Sequence, residues 1–179
     1  MIAFQTAIRR ILIPALIAAT ASAGLAQTSS PRPALPAALI SRMEARAIID
    51  GAIAFAEQNK MVMSVVVVDE AGQLLAGERM DGGVYRNLHF AEGKAFAAVT
   101  FGQTTEELGA VYKTRPDRYF GIMNMYPNKV YLVGGGEPLV LDGKVVGAVG
   151  VAGLPEGVDE KAGRAGIAAW MTYRAAMKK

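Results

Sequence analysis

His89 is the sole histidine of a 179-residue chain that contains no cysteine. A neutral imidazole is the commonest side-chain metal ligand. On a helix His89 shares a side with Glu92, Gly93 and Phe96, so a glycine leaves room for a flat ring and an aromatic lies one or two turns on. The plainer reading is a solvated surface histidine. Lys94 offers a point charge for a carboxylate of a ligand. Its plainer role is a salt bridge to Asp69 or Asp81 that braces a sheet. Arg79 and Asp81 stand at a strand end, where they can line a pocket or pair with each other. Gly134-Gly135-Gly136 reads first as a flexible loop and second as main chain that lets a ligand approach Gly135 and Gly136.

Several chemistries are missing. One histidine and no cysteine exclude a His/Cys zinc cluster and a cysteine nucleophile. No G-x-S-x-G occurs, and beyond residue 40 the serines are Ser41 and Ser64. The glycine run lacks the phosphate-loop spacing, and no G-x-G-x-x-G opens a helix. Glu156-x-x-Asp159 is a weak metal pair that helix-start acids explain more simply. No acid/base pair is defensible by spacing, so no catalytic residue is assigned.

The elements that must position these groups are legible from patterning. Asp142-Gly143 between two apolar runs predicts a two-residue hairpin, from Leu139–Leu141 into Lys144–Val151. Gly147 and Gly150 in the outgoing strand mark a bulge or a place where another backbone or a ligand comes close. Ser41-x-x-Glu44 is a capping box, and Ala45, Ile48, Ile49, Ala52 and Ala56 then recur at helical spacing to about Asn59. Met63 to Val68 predicts a strand buried on both faces, with a partner from Gln73 to Met80. Asn87 to Thr100 predicts a helix with Leu88, Ala91, Ala95 and Ala98 on one stripe, closed by Gly102. Thr104-x-x-Glu107 caps a short helix towards Lys113. Asp117 to Asn128 is read as irregular, Val130 to Val133 as a strand, and a helix starts at Asp159-Glu160 with Ala162, Ala165, Gly166, Ala169 and Trp170 packed. Adjacent hairpins imply an α+β domain with an antiparallel sheet.

The N-terminus is read as targeting. Arg9-Arg10, the apolar Ile11–Ala19 and the small residues before Ala26 predict a secretory signal peptide over 1–26, and hence a periplasmic or secreted protein. Residues 27–40 carry Pro31, Pro33 and Pro36 and read as an extended linker; 41–175 form the domain. Cleavage removes Arg9 and Arg10 and no acid, so the net charge falls from +3 to +1. The sequence pI of about 9.2 therefore overstates basicity, and no basic block suited to nucleic acid appears. No stable membrane insertion is expected after cleavage.

An ordered set of motifs then carries a resemblance. It comprises Val66-Val67-Val68-Asp69 with Gly72, Arg79-Met80-Asp81-Gly82, Ala91-x-x-Lys94-Ala95, Gly135-Gly136-Glu137-Pro138-Leu139, Gly147-Ala148-Val149-Gly150-Val151 with Gly153, and Asp159-Glu160. Over roughly Ser41 to Met171 the chain resembles the GlcG/HbpS-like family, also called the haem-degrading domain family, which includes the C-terminal domain of PduO-type corrinoid adenosyltransferases. The resemblance implies a single profilin-like α+β domain, homo-oligomers, and an exported protein that binds haem or a similar tetrapyrrole. Taken with that expectation, the sole histidine makes His89 the candidate metal ligand, with Lys94, which matches the family lysine, and Arg79, Asp81, Phe96, Gly135 and Gly136 as candidates around the cofactor. Met80, Met123, Met125, Tyr85 and Tyr126 are the other axial candidates. The alternative is an enzyme that degrades haem or transforms a small metabolite, using Lys94, Asp81 and Glu137. The chain departs from the family pattern at Asn87 and Ala152, where serine is usual, and at Phe96-Ala97, where threonine follows the Lys-Ala pair. Phe120, Met123, Met125 and Tyr126 form an apolar segment suited to a subunit interface or to core.

Overall fold

In the computed structural model, which describes residues 39–155 and 157–177, five helices pack on a four-stranded antiparallel sheet. The signal peptide, nearly all of the linker, and Glu156 of the weak metal pair lie outside the described residues. The order is α1 (Arg42–Gln58), β1 (Ser64–Asp69), β2 (Leu74–Arg79), α2 (Asn87–Phe101), α3 (Thr105–Thr114), α4 (Asp117–Met125), β3 (Gly136–Leu141), β4 (Lys144–Ala152) and α5 (Asp159–Met177). The sheet runs β2-β1-β4-β3. The valine run of β1 is therefore central and buried, which is why it has no polar alternation. The Asp142-Gly143 turn has φ of 48° and 75°, the positive pair that the two-residue hairpin demands.

One face of the sheet carries α1 and α5. The stripe Ala45, Ile48, Ile49, Ala52 and Ala56 is buried there with Val65, Val67, Val149, Val151 and Trp170. Small residues set the helix spacing: a Cβ on Gly166 would stand 2.6 Å from the carbonyl oxygen of Ile48. The capping box forms as predicted, and Glu44 does a second job in it. Its carboxylate accepts from Trp170 Nε1 at 3.3 Å and pairs with Arg174, so the cap of α1 also clasps α5. Burial opposes ionisation of Glu44, but the Ser41 backbone and hydroxyl, Trp170 and Arg174 outweigh it and hold its pKa below the ordinary value.

The other face carries α2, whose Ala91, Ala95 and Ala98 meet Val66, Val68, Ala148 and Ala152. A side chain at Gly150 would overlap the carbonyl of Ala91, so helix backbone lies directly on strand backbone. Helices α3 and α4 cover α2 in turn, through Ala97, Leu108 and Tyr119.

Two expectations are corrected here. Asp117–Met125 is a helix, not irregular chain: Pro116 sets its entry at φ −61°, and Tyr119, Ile122 and Met123 turn inward at helical spacing. Val130 to Val133 is not a strand. Its apolar side chains are met by helices instead, with Val130 and Leu132 in the α2–α4 cluster and Tyr131 stacked on Phe90 at 4.7 Å. The Tyr131 N–H donates to the carbonyl of Gly93 at 3.2 Å, across α2 and away from the sheet.

Candidate functional site

Helix α2 divides the candidate residues between two environments. On its outward side His89, Glu92, Gly93 and Phe96 line one crevice of about 50 Å³ with Asn128 and Lys129. The helical spacing thus does collect the four residues that sequence reasoning grouped. His89 is exposed, whereas Phe96 is buried under Tyr126, with ring centroids 5.2 Å apart, and Lys129 Nζ lies 6.0 Å from its ring. The space beside Gly93 is filled by the chain itself: a Cβ there would come within 3.0 Å of Tyr131 Cβ. No flat ligand can stack on that glycine without displacing Tyr131.

On the inward side of α2, Lys94 is 3% exposed. Its ammonium donates to the Val151 carbonyl at 2.8 Å and pairs with Asp159 at 2.6 Å. The bracing salt bridge expected of this lysine exists, but its partner is Asp159, not Asp69 or Asp81. Asp69 caps its own turn by accepting from the N–H groups of Ala71 and Gln73. Burial raises the pKa of Asp159, and the Lys94 bond and charge oppose that rise. The triple glycine is packed, which corrects the flexible-loop reading. Gly135 has φ +112°, and a Cβ on it would stand 2.7 Å from the Val151 carbonyl and 2.6 Å from Asp159 Cβ. Gly136 donates to Thr105 Oγ1 at 2.8 Å, and a Cβ on it would lie 2.6 Å from the Thr105 methyl. Gly135 and Gly136 therefore bring main chain close to protein groups.

Arg79 and Asp81 form a third, exposed place at the end of β2, where Arg79 Nη1 donates to the Gly83 carbonyl at 2.6 Å. The expected seven-residue set is thus split three ways: His89 with Phe96, Lys94 with Gly135 and Gly136, and Arg79 with Asp81.

Sequence reasoning missed an acid-rich cleft of about 700 Å³ between α3, the Leu132–Gly134 segment and the start of α5. Asp159 and Glu160 line it, so these acids are more than dipole partners at a helix start. Nearby Glu137 is 6% exposed, with Arg164 Nε 3.3 Å from its Oε1. Burial raises the pKa of Glu137; Arg164 opposes the rise, while Glu160 and Glu106 add to it. The Gly-Gly-Glu run ahead of a hairpin was the available signal, but only the fold places α5 against it. Among the described residues no group of three acidic, histidine or cysteine side chains is arranged to hold a metal ion.

The architecture can now be compared with known proteins. A family model described as haem degrading protein HbpS-like matches residues 40–168. The chain belongs to this HbpS-like family. Its fold is similar to a crystal structure of a double mutant of HbpS from Streptomyces reticuli, at 30% identity and TM-score 0.66, covering 78% of this chain and 96% of that one. It is also similar to a crystal structure of a PduOC:Heme complex, at 27% identity and TM-score 0.66, covering 73% and 94% of the two chains. An uncharacterised 15.0 kDa protein from the dhaT-dhaS intergenic region of Citrobacter freundii is 34% identical over 87 residues. That match covers 49% of this HbpS-like chain and spans 61% of the relative's length.

Proposed function

We propose that this HbpS-like chain is an exported haem- or tetrapyrrole-binding protein with His89 as iron ligand. The carrying observation is the exposed imidazole at a crevice with a buried aromatic and a cation, in a fold that a solved PduOC:Heme complex shares. The residues fit part of the task. His89 can reach iron from solvent, and Lys129 can meet a propionate as a point charge. The crevice is too small to enclose a macrocycle, so the group would lie on the protein surface, where a second subunit can cover its other face. Bound there, haem would supply redox and ligand-binding chemistry. Lys94 is a structural brace in this reading, because its ammonium is already met by two oxygens. Export rests on the leader read in residues 1–26. No described helix is long and apolar enough to cross a membrane.

Assembly into a homo-oligomer is part of the proposal. Met125 and Phe120, on the outer side of α4, are 72% and 54% exposed, an unusual apolar load for a nine-residue helix. Titrating haemin into the purified protein tests the binding claim. A Soret shift that His89→Ala abolishes is expected; an identical shift in the variant removes His89 from the site. An enzyme is the second reading, and the acid-rich cleft favours it. Incubating the haemin complex with ascorbate or peroxide separates the two: Soret loss no faster than without protein rules out degradation.

A further inference from the structure

We propose that the cleft bounded by α3, Gly134 and the start of α5 is a second ligand site, which takes a small organic ammonium ion on Glu160. Glu160 is the second residue of α5 and lines the cleft. It is 7% exposed, and its Oε2 is buried with no hydrogen-bond partner among the described residues. A buried carboxylate is normally bonded or paired, because desolvation without compensation is unfavourable.

The surrounding acids are accounted for. Asp159 holds Lys94 and the N–H of Leu154. Arg164 reaches both Glu137, at 3.3 Å, and Glu106, at 3.7 Å. Among the described residues Glu160 makes no ion pair: Lys113, the exposed cation that also lines the cleft, does not come within ion-pair distance of it, which leaves the carboxylate open to a cation from outside. Gly134 makes the arrangement sterically allowed: a side chain there would overlap the Glu160 carboxylate. The bare Cα of Gly134 leaves that carboxylate lying across it at the cleft wall.

The available space selects the ligand class. About 700 Å³ lies within the range of small-molecule sites. The roomy cleft with a single unpaired carboxylate suits an organic cation, whose body can fill the space beside its charge. A primary ammonium gives three donors as well as a charge, and a charge-assisted bond to a desolvated carboxylate is the strong kind. An uncharged alcohol of the same size would donate one hydrogen bond and leave the charge unmatched.

Calorimetric titration of the full chain with ethanolamine, and with ethylene glycol as the uncharged counterpart, tests this. Saturable binding of ethanolamine with no saturable heat from the glycol is expected. Glu160→Gln should weaken ethanolamine binding at least about tenfold, as loss of a charge-assisted bond implies. Ala110→Phe, which places bulk from α3 in the cleft without touching the acid, should do the same. Glu160→Gln should melt no lower than the parent, because it removes an unmatched charge. Absence of saturable ethanolamine binding, equal affinity in Glu160→Gln, equal binding of the glycol, or a marked loss of stability in that variant would each overturn the proposal. Haemin titration of Glu160→Gln keeps the two sites apart, since its Soret shift should match the parent whether or not the ammonium site exists.

Discussion

Replacing Lys94 with methionine keeps the length of the stem and deletes the charge beneath α2. The variant leaves the Asp159 carboxylate without its 2.6 Å partner and the Val151 carbonyl without a 2.8 Å donor. Breaking a buried ion pair from one side costs about 3–5 kcal/mol, because the remaining charge stays desolvated. With a urea dependence of about 2 kcal/mol per molar for a domain of this size, the unfolding midpoint should fall by roughly 2 M. The double variant Lys94→Met/Asp159→Asn should recover much of that loss, since no charge is left stranded. The pH dependence has a definite sign. Burial already raises the Asp159 pKa, and removing Lys94 deletes the next largest influence, which lowers it. A raised folded pKa means that the native state holds its proton more tightly, so the deficit should shrink as pH falls towards the unfolded value near 3.8. Urea melts of the parent, both single variants and the double variant, at neutral and mildly acidic pH, supply the cycle. A loss in Lys94→Met below about 1 kcal/mol, or a double-variant loss equal to the sum of the singles, would refute the coupling.

Gly150→Ala should destabilise by about 1–3 kcal/mol, since the new methyl meets the Ala91 carbonyl and forces α2 off the sheet; thermal melting checks this. Trp170→Ala should cost about 3–5 kcal/mol, because the indole is fully buried between α5, α1 and the sheet, and a denaturant midpoint measures it. Glu44→Gln should be costly at neutral pH and progressively less so below about pH 4.5, because a lowered carboxylate pKa gives stability that is lost as pH falls through the folded value. A constant Glu44→Gln deficit across that window would contradict the clasp. Met125→Glu should lower the mass of the assembly in light scattering while the monomer stays folded, and a parent that is monomeric at tens of micromolar would end the oligomer reading.

The backbone plan was readable because local chemistry and burial agree. Ser41 and Thr104 cap the helices they announce, and the stripe from Ala45 to Ala56 is the one that is buried. Helix α4 was missed although Asp117 and the Tyr119, Ile122 and Met123 spacing announced it; a segment rich in methionine and aromatics was read as irregular, yet the proline before it suits a helix entry. Val130 to Val133 misled because a short apolar run reports burial and does not say whether a strand or a helix lies opposite. The His89 crevice was legible, as two successive turns of one helix carry most of it. The Lys94–Asp159 pair spans 65 residues and two elements, and no local pattern encodes such a distance. The glycine run illustrates the same limit: its residues make room for groups of α5, β4, α2 and α3, all distant in sequence, which composition alone cannot separate from looseness.

The clasp of Glu44 on Trp170 and Arg174 bears on when the domain can form. The cap of α1 is fastened by residues 126 and 130 positions later. β1 lacks its β4 neighbour until Lys144–Ala152 has emerged, and the stripe of α1 lacks the cover of α5 until the stretch from Asp159 onward follows. Such sequence-distant closure makes assembly slow and late. A nascent chain would therefore lack a closed core through most of its synthesis. Truncation ahead of Trp170 should yield a protease-sensitive polypeptide, not a smaller folded core.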